Sequence, residues 1–219
     1  MALTYVIGDI HGALQKLLTL IQRCEEHVAG RPMKLVFLGD YIDRGPESEG
    51  VVRLLIDLRS KMPNQVIALR GNHEATALAI VDGEIPVIHW LSQGGAATLR
   101  SYGIEDANAL PRAHLDWMRS LPLTLDDGRR FFVHAGIAPE KPLDAQQERD
   151  LLWIREPFLS DARDYGRLIV HGHTPLFGNS PELRSNRLNL DTGAGYGGPL
   201  TAAVFAEDQT PPIAFLQVA

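Results

Sequence analysis

Five short polar clusters contain most of the residues in this sequence that could bind a metal ion. Five of the eight histidines fall within them, together with several aspartates and one asparagine. Carboxylate, amide oxygen and imidazole are ligands for borderline divalent cations, so these residue types indicate metal chemistry. The clusters are Gly8-Asp9-Ile10-His11-Gly12, Gly39-Asp40-Tyr41-Ile42-Asp43-Arg44-Gly45, Gly71-Asn72-His73-Glu74, His134-Ala135-Gly136 and His171-Gly172-His173.

Each cluster directly follows a short apolar run that is typical of a buried strand. The ligands of α/β proteins gather at the carboxyl ends of strands, so we expect the five clusters to meet at one edge of the fold. Asp9 and His11 are two residues apart at a strand end and therefore point to the same side. Asp40 ends the neighbouring strand and is the best candidate to bridge two ions. The runs occupy residues 3 to 7, 34 to 38, 65 to 69, 130 to 133 and 167 to 170.

Helical patterns separate the first three strands. Apolar residues from Leu14 to Val28 repeat at spacings of three, four and seven, and a second such pattern lies between Pro46 and Pro63. These crossovers predict parallel strands in the first half of the chain. Residues 74 to 122 are mostly helical in pattern and predict an insert over the sheet. Later strand patterns, with hairpin-type pairing expected, cover Arg187 to Leu190, Leu200 to Phe205 and Ile213 to Val218.

Length and composition predict one domain over residues 1–219. The chain has 21 basic and 27 acidic residues, a net charge of −6, and no Lys/Arg run, which disfavours nucleic acid as a partner. Its single cysteine, Cys24, lies on an apolar helical stripe and is expected in the core. The first residues lack a signal-peptide pattern, and no apolar run approaches the roughly 18 residues of a membrane span. We therefore expect a cytoplasmic protein without a membrane partner; the sequence leaves its oligomeric state open.

Taken one at a time, the motifs have ordinary structural explanations. Asp-x-His after a strand is a common turn, Asn72 could be a helix N-cap, and a lone His134 or His173 is more often structural. The conjunction of five clusters, in order and each at a strand end, favours a metal site over those explanations.

The ordered motifs Gly-Asp-Ile-His-Gly, Gly-Asp-Tyr-Ile-Asp-Arg-Gly, Gly-Asn-His-Glu, His-Ala-Gly-Ile and His-Gly-His-Thr resemble those of the phosphoprotein phosphatase family of metallophosphoesterases. The likeness is strongest to its compact bacterial and phage serine/threonine phosphatases, and it spans residues 8 to 173. The resemblance implies a calcineurin-like metallophosphoesterase fold, an α/β four-layer αββα sandwich of two mixed sheets. It also implies a dinuclear metal site at the sheet edge.

The same resemblance implies a role for each motif residue. Two divalent ions are expected, with manganese favoured and iron, zinc, cobalt or nickel also compatible with the ligands. One ion would be held by Asp9, His11 and Asp40, and the other by Asp40, Asn72, His134 and His173. Arg44 and Asn72 would contact the phosphate, and Arg155 matches a second phosphate-binding arginine.

These roles imply metal-dependent phosphomonoester hydrolysis, most readily of a phosphorylated protein, with small phosphoesters also possible as substrates. A hydroxide bridging the two metals would attack the phosphate in line. His73 would protonate the leaving group as general acid, and Asp43 would orient His73.

Three other functions compete with this one. A symmetrical diadenosine tetraphosphate hydrolase shares the first motifs and a similar segment from Leu190 to Thr201, but typically has alanine at the position of Asp43 and tends to have aspartate at that of Glu74. In either enzyme Tyr196 could overhang the pocket and affect selectivity. A non-catalytic metal-binding scaffold is disfavoured because every expected position is filled. A DNA-cleaving relative usually has a final histidine where Pro175 stands.

Overall fold

Ten short strands form two five-stranded mixed sheets in residues 2–219, the part of the chain that this computed structural model describes. The strands are β1 (Leu3–Ile7), β2 (Met33–Phe37), β3 (Val66–Ala68), β4 (Thr124–Asp126), β5 (Arg130–Val133), β6 (Leu168–His171), β7 (Glu182–Leu183), β8 (Arg187–Asn189), β9 (Leu200–Ala206) and β10 (Ala214–Val218).

The first sheet has the order β10-β9-β1-β2-β3 and the second the order β4-β5-β6-β8-β7. In the first sheet, β1, β2 and β3 run parallel, as the crossover patterns predict, and β9 is antiparallel to both β1 and β10. In the second, β5, β6 and β8 run parallel between two antiparallel edge strands. Parallel central strands bring their carboxyl ends to one edge of each sheet.

Alternating side chains divide the core into layers. Val6 and Val36 of the first sheet pack against Phe132 and Val170 of the second, and together they form the core between the sheets. The neighbours of these residues along each strand point outward, since successive side chains alternate across a strand. Phe131 is one of them, and it packs beneath the short helical segments outside the second sheet. The expected four-layer αββα sandwich is confirmed.

Helices cover the outer face of the first sheet. Helix α1 buries Leu17, Cys24 and Val28 against that sheet, which confirms most of the predicted apolar stripe and the core position of the cysteine. Leu18, predicted on the same stripe, is exposed, and Leu20 is buried in addition. Burial of each large apolar side chain stabilises the fold by roughly 1.5–3 kcal/mol. The helices are α1 (Leu14–Val28), α2 (Ser48–Lys61), α3 (Asn72–Val81), α4 (Val87–Ser92), α5 (Gly95–Tyr102), α6 (Arg112–Ser120) and α7 (Glu148–Trp153).

The predicted pairing of the last strands is only partly right. Strands β9 and β10 form an antiparallel pair, and so do β7 and β8, but β8 also pairs in parallel with β6 and β9 crosses to the first sheet. The partner of β8 is set by burial, because Leu188 fills the core between the sheets beside Val170. Strand β4 has no apolar run and was not predicted. Within residues 2–219, no helix combines the length and apolarity needed to cross a membrane.

Candidate functional site

The loops that follow the strands hold five of the predicted site residues in strained backbone conformations. Seven non-glycine residues of the described chain have positive φ, and five of these are candidate site residues. Left-handed backbone is disfavoured by about 1–2 kcal/mol for a residue with a Cβ, and such conformations concentrate at functional sites. The five are His11 (48°), Asp40 (54°), Asp43 (74°), Arg44 (67°) and His173 (65°).

Asp40 lies at the centre of the candidate site. Its Oδ2 atom is 3.4 Å from Nε2 of His11, and its Oδ1 atom is 3.4 Å from Nε2 of His134. Two groups of side chains could hold a metal ion, namely His11, Asp40 and His73, and Asp40, His134 and His173. The first group contains His73 where the predicted set has Asp9. Both groups contain Asp40, so the structure places this carboxylate where a bridge between two ions is expected.

The imidazoles of His134 and His11 direct lone pairs into the site. Nδ1 of His134 donates to the carbonyl of Leu38 at 2.9 Å, so Nε2 of the neutral ring is an acceptor; it faces Oδ1 of Asn72 at 2.7 Å. Nδ1 of His11 donates to the carbonyl of Ile42 at 2.8 Å, which leaves its Nε2 as an acceptor in the same way. Arg44 donates to Nε2 of His11, and a bound cation would stabilise the other acceptors that converge here. The donor set therefore fits divalent cations.

Burial keeps most of the clustered histidines neutral. It lowers the pKa of His11 and of His173 to about 3 and also lowers the pKa of His134. His73 differs: burial acts to lower its pKa, but the carboxylates of Asp40 and Asp43 outweigh burial and raise it. Neutral rings can ligate a metal, whereas a protonated His73 can give up a proton.

Two glycines allow the backbone to approach the candidate ligands closely. A Cβ built on Gly172 would overlap Oδ1 of Asp9, and one built on Gly71 would overlap Oδ1 of Asp40. The N–H of His173 donates to both Asp9 oxygens, at 3.0 and 3.2 Å. The carboxylates are therefore held by the backbone, and larger residues in place of the glycines would displace them.

Asp191 is a buried site residue that the sequence reasoning did not assign. Burial, followed by repulsion from Asp191 and Asp40, raises the pKa of Asp9, and burial raises the pKa of Asp191 itself to about 6. Three carboxyl groups thus share one buried region, and bound cations would reduce the repulsion between them. The signal available in the sequence was the segment Leu190-Asp191-Thr192-Gly193, which follows β8 as the other clusters follow their strands.

His73 and Asp43 form a buried pair beside Asp40. Nδ1 of His73 lies 2.6 Å from Oδ2 of Asp43. Asp43 also accepts hydrogen bonds from Nε1 of Trp90, at 2.8 and 3.0 Å, and from the hydroxyl of Thr98 at 2.6 Å. Trp90 and Thr98 belong to α4 and α5, so the helical insert contributes directly to the site. Neither residue was predicted to lie at the site.

A pocket of about 280 Å³ opens onto these groups. Arg44 and Arg155, both predicted to bind phosphate, line it, and the guanidinium of Arg44 contacts Nε2 of His11. Other lining residues include Asp40, Asn72, His73, Trp153, His173 and Tyr196.

The clusters that follow strands of the first sheet therefore meet those that follow strands of the second. The structure brings together all six predicted metal ligands, namely Asp9, His11, Asp40, Asn72, His134 and His173. His171, the other histidine of the last motif, instead packs against Phe158 and lies 3.4 Å from Arg187, away from these ligands.

Comparisons with known proteins show which family the chain belongs to. A bis(5'-nucleosyl)-tetraphosphatase PrpE [asymmetrical] from Anoxybacillus flavithermus is 30% identical and aligns over 94% of this chain and 91% of its own length. A solved structure assigned as a diadenosine tetraphosphatase has a TM-score of 0.74 at 26% identity, covering 99% of this chain and 92% of the other. A serine/threonine phosphatase from Saccharomyces cerevisiae superposes with a TM-score of 0.59 at 19% identity, covering 92% and 72%. The calcineurin-like phosphoesterase family model matches residues 3–201, and the chain belongs to that family.

Proposed function

We propose that this protein is a metal-dependent hydrolase of dinucleoside tetraphosphates. The observation that carries the proposal is the 30% identity to a bis(5'-nucleosyl)-tetraphosphatase over nearly the whole of both chains. The solved structure assigned as a diadenosine tetraphosphatase supports the same substrate class. The protein phosphatase structure is less than 25% identical and supports the fold alone. The order of our first two sequence-based hypotheses is therefore reversed, although the relative is named as asymmetrical whereas the sequence motifs suggested the symmetrical type.

The proposed metal ligands come from both sheets. Asp9, His11 and Asp40 would hold one divalent ion, and Asp40 with Asn72, His134 and His173 would hold the other, with manganese as the expected ion. Bound ions of this kind supply an activated water and compensate the charge of the phosphate. The second ion takes ligands from loops that follow strands of both sheets, so we treat residues 1–219 as one catalytic domain.

Arg44, Arg155 and Asn72 are proposed to bind the phosphate chain. A guanidinium is planar and donates to two phosphate oxygens at once. Both arginines line the 280 Å³ pocket that contains His73, which we call the phosphate pocket. His73 would hold a proton for the leaving oxygen, with its ring oriented by Asp43. A polyphosphate is a good leaving group, so this proton matters less for a tetraphosphate than for an alkyl phosphate.

A phosphomonoesterase, including a serine/threonine protein phosphatase, is the second candidate. The observation that favours it is the His73–Asp43 pair, because a departing alkoxide depends strongly on general acid catalysis. A protein that acted only on polyphosphates would need this pair less.

Substrate comparison tests the proposal. We expect the manganese-loaded protein to hydrolyse diadenosine tetraphosphate with a kcat/KM well above that for a phosphoserine peptide or an aryl phosphate. Asymmetrical cleavage, the type in the name of the Anoxybacillus flavithermus relative, would yield ATP and AMP. Two ADP molecules would indicate symmetrical cleavage. A higher kcat/KM for the phosphopeptide would overturn the proposal in favour of the second candidate. Asp40→Asn, assayed in parallel, controls for contaminating hydrolases.

A further inference from the structure

Two large aromatic side chains are exposed beside the phosphate pocket. Phe177 is 83% exposed, more than any other large hydrophobic side chain in residues 2–219, and Tyr196 is 57% exposed. Their ring centroids are 6.3 Å apart with an interplanar angle of 58°. An exposed apolar surface of this kind next to a polar pocket is typical of a binding site.

Hydrogen bonds hold the loops that carry both rings. Leu176, next to Phe177, donates its N–H to the carbonyl of Asp191 at 2.8 Å, and Gln217 donates to the carbonyl of Asn179 at 2.9 Å. On the other loop, the N–H of Tyr196 donates to Gly193 at 2.8 Å. Nζ of Lys16 also donates to the carbonyl of Gly198 in that loop, at 2.7 Å. The rings are thus presented by braced backbone, which lowers the entropy lost when a ligand binds.

A second pocket, of about 240 Å³, lies between these loops. Tyr196 lines both this pocket and the phosphate pocket. The guanidinium of Arg44 lies over the Tyr196 ring, 4.7 Å from its centroid. A ligand that reaches from Arg44 past Tyr196 must therefore be anionic at one end and able to contact aromatic rings at the other.

We propose that Phe177 and Tyr196 form a stacking site for one nucleobase of the substrate. The inference rests on the proposed function and names the residues that would bind the nucleoside end of a dinucleoside polyphosphate. Every base has a π face, and aromatic side chains in nucleic-acid-binding proteins use it for stacking. Arg44 lies between the phosphate pocket and the proposed base site, because it lines that pocket and covers the Tyr196 ring.

Kinetics of ring-removing variants form the first test. Phe177→Leu keeps apolar bulk but removes the ring, and we expect it to raise the KM for diadenosine tetraphosphate roughly fivefold or more, the effect of losing one stacking contact. The inhibition constant of inorganic tetraphosphate, which has no base, should rise less. Tyr196→Leu should raise the same KM more than Tyr196→Phe, which retains the ring. Leu183→Ala, at another exposed apolar residue, controls for surface truncation.

Saturation-transfer NMR with AMP gives a readout that does not depend on turnover. We expect the adenine H2 and H8 protons to receive saturation from the wild-type protein and to lose most of it with Phe177→Leu. If adenine protons respond but diadenosine tetraphosphate is not cleaved, the base site stands and the proposed function fails. If the tetraphosphate is cleaved but Phe177→Leu changes neither its KM nor the adenine signal, the base site is overturned and the function stands. Absence of any adenine signal in the wild type also overturns the base site.

Discussion

Nδ1 of His73 lies 2.6 Å from Oδ2 of Asp43, while Nε2 of the same ring is 3.8 Å from Oδ2 of Asp40. All three side chains are buried. Asp43 therefore fixes the orientation of the ring, and its charge favours a proton on it. Because His73 also lines the phosphate pocket, this geometry makes it the group best placed to protonate a leaving oxygen.

His73→Asn should slow alkyl phosphates far more than substrates with good leaving groups. General acid catalysis contributes roughly 10²–10⁴-fold, and only a poor leaving group needs the full contribution. We expect turnover of an alkyl phosphate to fall by about two orders of magnitude and that of an aryl phosphate by much less, as measured by kcat on each. Equal losses on both substrates would show that His73 has another role.

Trp90→Phe should weaken the same step without removing a catalytic group. The change deletes the Nε1 donor to Asp43 but keeps an aromatic ring. Hydrogen bonds to charged groups contribute about 1.5–3 kcal/mol, so we expect roughly a tenfold loss of kcat on an alkyl phosphate. Trp117→Phe is the matched control, since Nε1 of Trp117 has no hydrogen-bond partner in the described part of the chain. A similar loss of kcat in both variants would argue against the orientation of His73 by Asp43.

Gly172→Ala should weaken metal binding. The added methyl group would overlap Oδ1 of Asp9 and push this carboxylate from its position. Displacement of a ligand should lower the affinity for manganese by roughly tenfold or more, which isothermal titration calorimetry can measure. Gly178→Ala is the control, because no atom lies within 4 Å of a Cβ built there. Unchanged affinity in the Gly172 variant would remove Asp9 from the ligand set.

The buried thiol of Cys24 should make stability depend on pH under alkaline conditions. Burial, with a smaller effect of Glu25, raises its pKa from 9.0 to about 12. Above about pH 9 the unfolded chain loses this proton while the folded chain keeps it, so the free energy of unfolding falls as pH rises. Between pH 8 and 10 the wild type should lose about 1 kcal/mol more than Cys24→Val in urea unfolding. Parallel pH dependence of the two proteins would contradict this.

Local sequence patterns were sufficient to predict the part of the site that lies at strand ends. The apolar runs identified β1 and β2, and the clusters that follow them, which contain Asp9 and Asp40, are drawn together by the sheet itself. The contacts of Trp90 and Thr98 with Asp43 could not be predicted, because they depend on how α4 and α5 pack. The same holds for the pairing of β8 with β6, because the apolar Leu188 marks β8 as buried but does not show which strand it lies beside.

The metal content of the wild type and of Asp40→Ala tests the central claim, that Asp40 is shared by two divalent cations in the buried cluster. Both proteins would be loaded with manganese, desalted, and analysed by mass spectrometry alongside a turnover assay. We expect two ions per wild-type chain, and at most one ion with no measurable turnover in Asp40→Ala. Two retained ions and full turnover in the variant would contradict the account.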